Sequence, residues 1–217
     1  MIKEYSVSGT ALTGETLEAR DVTIVVQDGI ITAVEDESSV PDRWICPAFF
    51  NAHTHLADTV AMDLPCAGTL DELVTPPHGL KHQILAKTSV PRLISAMRDS
   101  ITEMIHSGTA GFADFREGGK PGVLALQEAA SQMSLRPIIL GREGGEEIAD
   151  GAGISSARDV TRSMEIADLM KKQGKIIGFH AGEKDPDDID AALEAHPDFL
   201  VHCTHVTRSQ IRRIADE

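Results

Sequence analysis

No stretch of the sequence approaches the ~20 apolar residues a helix needs to cross a bilayer, and the N-terminus, MIKEYSVSGT, lacks the basic-then-apolar order of a secretory leader. Cysteine is scarce. Cys46, Cys66 and Cys203 are too few for a disulfide framework and none belongs to a C-x-x-C pair, so they read as reduced thiols in a soluble, cytoplasmic protein. Basic residues are outnumbered, 20 Lys and Arg against 34 Asp and Glu, and no basic patch relieves the net charge of −14. That balance argues against nucleic acid and against anionic membrane surfaces as partners, because carboxylates repel both. The Gly-rich stretches at 117–119 and 141–145 do not form the G-x-x-x-x-G-K-[ST] loop that cradles nucleotide phosphates. What remains is a chain of 217 residues, 41% hydrophobic, long enough for a real core and too apolar for disorder or a fibre.

Residues 1–46 read as a small β unit, sandwich-like in character, with β-branched runs at Val22–Val26 and Ile30–Val34 around an Asp28-Gly29 hairpin turn. From 47 to 217 strand-like runs alternate with helix-period segments, the pattern of βα units around a parallel sheet. Six strands are expected: Ile45–Leu56, Thr109–Phe115, Arg136–Glu143, a weak one near Ile148–Ser156, Lys175–His180 and Phe199–Cys203. A long loop carrying Pro65, Gly68, Pro76, Pro77 and Gly79 follows the first. Helices are expected from Ser89 to Gly108 (apolar at Leu93, Met97, Ile101 and Met104), over 122–134, over 159–173 up to Gly174, over 186–196 with Asp185 as N-cap, and after a Thr207–Gln210 capping box. An eight-stranded (β/α)8 TIM-type barrel runs to about 250 residues, so the chain reads as six of eight units, truncated after the sixth strand.

The informative feature is where the histidines fall. His53 and His55 lie two apart on a predicted strand, which puts both imidazoles on one face, although nine histidines in 217 residues give about 0.3 such pairs by chance. His180 ends the apolar run KIIGF and His202 ends FLV, 22 residues later, or about one βα unit. Strand C-termini ring one mouth in a βα barrel, so four histidines at strand ends can meet there.

These residues resemble the amidohydrolase superfamily of metal-dependent barrel hydrolases, through PAFFNAHTHL, SGTAGFADF, HAGE and LVHCTHVT, and within it the branch of adenosine, cytosine and S-adenosylhomocysteine deaminases and chlorohydrolases. The resemblance implies His53, His55 and His180 as ligands of one zinc ion, with Fe2+ as the alternative. It implies Glu183 as the proton-shuttling carboxylate and His202 as the histidine that hydrogen-bonds the hydrolytic water or the substrate. The activity implied is hydrolysis of a C–N bond other than a peptide bond, most directly deamination of a small heterocyclic substrate. Cyclic-amide opening or dechlorination at the same site is the alternative.

Two departures matter. Binuclear members use a carbamylated lysine on the fourth strand, and no lysine lies between Lys120 and Lys171. The family also takes an aspartate from the eighth strand, which has no counterpart here. A third reading is therefore a non-catalytic metal-binding or interaction fragment, and a homo-oligomer or a complementing C-terminal segment is the partner expected. Glu143 sits where some members place a glutamate ligand, and His205, His78 and His82 are further candidates beside a structural reading of each. His106 and His196 read as helix-end or surface residues, Cys66 and Cys203 as packing residues, and Asp114 as a hydrogen-bonding one.

Overall fold

The computed structural model describes residues 3–75 and 78–216, and the chain divides into two compact units, 1–48 and 49–217. In the first, β1 (Glu4–Thr13), β2 (Glu18–Gln27) and β3 (Ile30–Asp36) form an antiparallel meander, and β4 (Trp44–Ile45) adds in parallel to β1. Asp28 and Gly29 connect β2 to β3 with φ of 50° and 83°, the paired positive values a tight hairpin turn demands. Among the described residues the segment forms one sheet, of order β3-β2-β1-β4, a single layer where a sandwich-like unit is expected.

The expected strand Ile45–Leu56 is two strands. Ile45 belongs to β4, and β5 (Phe49–Thr54) begins the second unit, with Pro47, which has no N–H to donate to a ladder, between them. β6 (Thr109–Arg116), β7 (Arg136–Gly141), β8 (Gly151–Ile154), β9 (Ile176–Ala181) and β10 (Phe199–His202) follow, all parallel and neighbours in chain order. The six strands expected from periodicity are thus present, the weak one as β8.

The proline-rich loop after β5 is more structured than expected. It holds a 3-10 turn at Leu56–Ala61, α1 (Leu70–Val74) and α2 (Leu80–Lys87); Pro76 and Pro77 lie outside the described residues. Thr69 and Glu72 close α1 with a reciprocal capping box. α3 (Val90–His106) buries Met97 and Ile101 from the anticipated stripe, and Gly108 leaves it at φ 83°. α4 (Gly119–Ala130) starts three residues earlier than expected, with Pro121 tolerated in its first turn. α5 (Ser163–Lys172) starts later, because Ser156 Oγ accepts from the Arg158 and Asp159 N–H groups and holds the preceding residues in a turn. α6 (Asp187–Leu193) has Asp185 Oδ1 accepting from the Asp187 and Asp188 N–H groups, so the expected cap works from one residue before the N-cap position, Pro186. α7 (Arg208–Asp216) opens on the Thr207–Gln210 box as expected.

Two apolar clusters fill the space between strands and helices: Met97, Ile101, Phe112, Leu126 and neighbours on one side, Phe179, Ile177, Met170, Ile189 and neighbours on the other. A third, of Phe115, Leu140 and Val201 with Phe199 against it, lies between strands far apart in the sheet order. A flat six-stranded sheet would hold its edge strands about 24 Å apart. Instead His53 on β5 and His202 on β10, the two edges, have ring centroids only 4.9 Å apart. The sheet is therefore curled into a nearly closed barrel, and Phe115, Leu140 and Val201 are its interior.

Candidate metal centre

Strand alternation delivers most of the site. Phe115 faces the barrel interior, and Gly153 on β8 and Gly178 on β9 leave it room, since a Cβ would come within 2.6 Å of its ring at Gly153 and 3.0 Å at Gly178. Above it sit His53 and His180, with ring centroids 5.2 and 4.5 Å from that of Phe115. His55, one residue past β5, keeps the parity of His53. Asp114 fixes it there: its buried carboxylate accepts from the Leu56 N–H at 2.6 Å and the Thr54 hydroxyl at 3.0 Å, on either side of His55. Asp114 has the hydrogen-bonding role read for it.

His202 reaches the same place against the alternation. Phe199 and Val201 point inward and Leu200 packs on the helix-side cluster, so period two would send His202 outward with Leu200. Its backbone instead takes φ 69°, and the Cys203 N–H reaches back to the Val201 carbonyl at 3.1 Å. This tight turn, uncommon for a residue with a Cβ, swings the imidazole into the barrel mouth, and backbone of this kind concentrates at functional sites.

Three imidazole nitrogens converge. His53 Nε2 lies 3.2 Å from His55 Nε2 and 3.1 Å from His180 Nε2, and the last two are 3.2 Å apart. Outward-facing Nδ1 atoms meet carbonyls: His55 Nδ1–H donates to the Phe115 carbonyl at 3.1 Å, and His180 Nδ1 lies 3.2 Å from the Ile154 carbonyl, to which it donates when its hydrogen is on Nδ1. In that tautomer their Nε2 lone pairs face one another, an arrangement that a cation satisfies. Four tetrahedral nitrogens at ~2.0–2.1 Å from a metal stand about 3.3–3.4 Å apart, close to the spacing found. The donor set fits a metal ion, and the carbonyls behind it are the outer partners such histidines use. His202 adds a fourth imidazole, its ligand atom within 4.8 Å of those of His53 and His180. Glu183 Oε2 lies 3.6 Å from His202 Nε2.

All five residues line one cavity of about 690 Å³. Glu143 also lines it, but its Oε2 accepts from the Gly118 N–H at 3.1 Å, so it pins a turn. His82 donates to the Val74 carbonyl, joining α2 to α1, and His78 and His205 are exposed.

Sequence reasoning missed the other half of the site. Glu117, just past β6 and 5% exposed, gathers four partners: His55 Nδ1 at 2.9 Å, Lys81 at 2.7 Å, Arg116 at 2.8 Å and Arg142 at 3.4 Å. Lys81, on α2, also pairs with Asp58 at 2.9 Å, and so ties the loop after β5 to the barrel mouth. The available signal was position, a carboxylate immediately after a strand's C-terminal end.

Electrostatics disfavour the charged forms of His53 and His180. Burial, then the positive neighbours His55, His202, Arg142 and Lys81, lowers the His53 pKa from 6.5 to about 4, and burial followed by Arg142 depresses His180 further. Burial pushes the Glu117 carboxyl up, but the hydrogen bond and charge of His55, with Lys81 and Arg116, outweigh it and hold the group well below the carboxylate range. A pH dependence follows. Below pH 6.5 the unfolded chain protonates these two histidines and the folded chain does not, so stability is complete above 6.5 and falls as pH drops toward 4, where His53 takes its proton in the fold. Each such histidine adds at most about 1.4 kcal/mol per pH unit, less for the half-exposed His53. Urea denaturation of the metal-free chain across this range measures it, and a His180→Gln chain has the flatter slope.

The Amidohydrolase family profile matches residues 44–216, and the chain belongs to that family. A protein of Methanothermobacter thermautotrophicus with the provisional name aminohydrolase is 31% identical over 248 residues, covering 96% of this chain and 64% of its own length. The fold matches guanine deaminase from Bradyrhizobium japonicum (TM-score 0.67, 17% identity, 98% of this chain and 61% of that one). It also matches atrazine chlorohydrolase from Arthrobacter aurescens in complex with zinc (TM-score 0.60, 16% identity, 88% and 55%). The chain thus spans less than two thirds of the length of these relatives.

Proposed function

We propose that the chain carries the metal-binding and proton-transfer half of a hydrolase that cleaves a C–N bond other than a peptide bond, and that its reaction is deamination of an amino-substituted heterocycle. The observation that carries this reading is the triangle of His53, His55 and His180 nitrogens at 3.1–3.2 Å. These three residues would hold one ion, zinc by the donor chemistry and iron(II) as the alternative. When bound, the ion would supply a hydrolytic water whose pKa falls from 15.7 to about 7.

The remaining work belongs to the chain's own groups. Glu183, facing the cavity beside His202, would give its proton to the ring nitrogen next to the carbon under attack, take up the proton of the hydroxyl added there, and pass that one to the departing amine. His202 orients water or substrate through Nε2. The aminohydrolase and guanine deaminase similarities support a nitrogen leaving group, and the chlorohydrolase similarity keeps halide as the second reading.

Two measurements test this. Elemental analysis of chain incubated with Zn2+ and freed of excess is expected to give about one equivalent per chain; none, even after loading, overturns the metal reading. Ammonia release from a panel of purines, pyrimidines and their nucleosides separates deamination from cyclic-amide opening and dechlorination, which release none. Turnover is expected to be weak in the 217-residue chain alone and to rise when a segment supplying the remaining barrel strands is added.

A further inference from the structure

We propose that Glu117 is a positioning residue of the metal centre: its carboxylate, set behind His55, holds that imidazole with the hydrogen on Nδ1 and supplies a negative charge that the three imidazoles lack; this rests on the metal reading above. Strand parity puts it there. Phe115 faces the barrel interior, and Glu117, two residues on, keeps that face just past the end of β6 at Arg116. The backbone then leaves through Gly118 at φ 84°, and α4 starts so close behind that a Cβ at Gly122 would collide with the Glu117 carbonyl.

Arg116 grips the residue twice, with Nε donating to the Glu117 carbonyl at 3.0 Å and Nη2 to Oε2 at 2.8 Å, which fixes the side chain. Oε1 is left for the site. It lies 2.9 Å from His55 Nδ1, with Lys81 Nζ at 2.7 Å and Arg142 Nη1 at 3.4 Å on the same oxygen. The Phe115 carbonyl stands 3.1 Å from the same Nδ1. A carbonyl and a carboxylate only accept, so the His55 hydrogen belongs on Nδ1 between them, and the Nε2 lone pair is left for the triangle.

The charge matters as much as the tautomer. Three imidazoles bring no negative charge to a divalent cation, and the cations Arg142 and Lys81 stand close by, Arg142 Nη2 at 3.1 Å from His180 Nδ1. Glu117 lies between His55 and both of them and offsets their repulsion. A carboxylate on the outer nitrogen of a liganding imidazole also raises the basicity of the inner one, which the neutral Phe115 carbonyl does more weakly. A hub of ion pairs would need only Lys81, Arg116 and Arg142. The fourth contact, to an imidazole of the triangle, is the one that points to the metal.

Zn2+ titration against a chromophoric chelator and NMR of the histidine-labelled chain test this in wild type, Glu117→Gln, Lys81→Met and the double variant, each checked for a native circular dichroism spectrum. Glu117→Gln is expected to weaken Zn2+ binding about tenfold to a hundredfold, whereas Lys81→Met, which takes a cation from the same oxygen and leaves His55 alone, stays within about threefold. The double variant removes charges of both signs; if Glu117→Gln alone does not fold, it takes that place and is compared with Lys81→Met. A merely structural carboxylate would not act on one imidazole. In the metal-free chain the His55 Nδ1–H resonance is therefore expected to move upfield without Glu117, and the His180 resonances to move less. Zn2+ affinity within about threefold of the reference, or shifts as large at His180 as at His55, overturns the proposal. Should the wild type take up no Zn2+, the metal reading fails by itself, and the His55 resonance decides whether Glu117 holds the imidazole: an upfield move supports it and an unchanged resonance overturns it.

Discussion

Replacing His180 with alanine is expected to lower zinc affinity about a hundredfold while leaving most of the fold intact. Structural zinc sites bind with ~10–16 kcal/mol shared among four ligands, so one imidazole carries about 3 kcal/mol, or about two orders of magnitude. His180 is the most demanding of the three to lose because it is the buried one, 6% exposed, and closes the triangle from the far side of the barrel, 125 and 127 residues from its partners. Alanine also leaves a hole beside Phe115, whose ring centroid is 4.5 Å from the imidazole. His180→Asn separates the two effects, since it fills part of the hole but offers no imidazole. Competition titration against a chromophoric chelator gives the affinity. Loss within threefold for both variants would show that His180 holds no metal and would leave His53, His55 and His202 to be tested as the donor set.

The ligand triangle was legible in the sequence because strand alternation and strand ends are local properties. His53 and His55 share a face by period two, and His180 ends an apolar run that could only be a strand. The proton-transfer pair was legible through HAGE, but the reason His202 points inward was not: its parity is wrong, and the turn at φ 69° that corrects it leaves no mark in composition. Glu117 and Arg142 stayed hidden for a different reason. Their meaning lies in partners at long separation, Lys81 and His55 for Glu117, Gly153 and His180 for Arg142, and a Glu or Arg in a Gly-rich stretch looks like solvated loop until those partners arrive. The α1 and α2 segment failed on precedence. The capping signature Thr69-Leu70-Asp71-Glu72 was present, but the surrounding Pro and Gly residues outweighed it in a reading by composition.

Asp114→Ala is expected to cost about 1–3 kcal/mol of stability, the range for leaving a buried donor without its acceptor. The carboxylate is fully buried, so the deletion leaves the Leu56 N–H without its acceptor, and it takes from Arg116 its longer carboxylate contact, at 3.5 Å, while the Glu117 contact at 2.8 Å remains. Burial raises the Asp114 pKa above the usual carboxylate value, and the Arg116 charge and the Leu56 N–H pull it only partway back. Asn is no remedy: its amide has one acceptor oxygen and brings two hydrogens toward a cluster made of donors. Because Leu56 and Thr54 bracket His55, the loss is not confined to the fold. With the turn after β5 released, the His55 nitrogen no longer has a fixed place in the triangle, and zinc affinity falls with stability. Thr54→Val isolates the smaller contribution, about 1 kcal/mol for one hydroxyl hydrogen bond. Urea midpoints for the three variants, taken with zinc titrations of each, connect stability and metal binding. Asp114→Ala with wild-type zinc affinity would show that the metal centre stands without its backbone anchor.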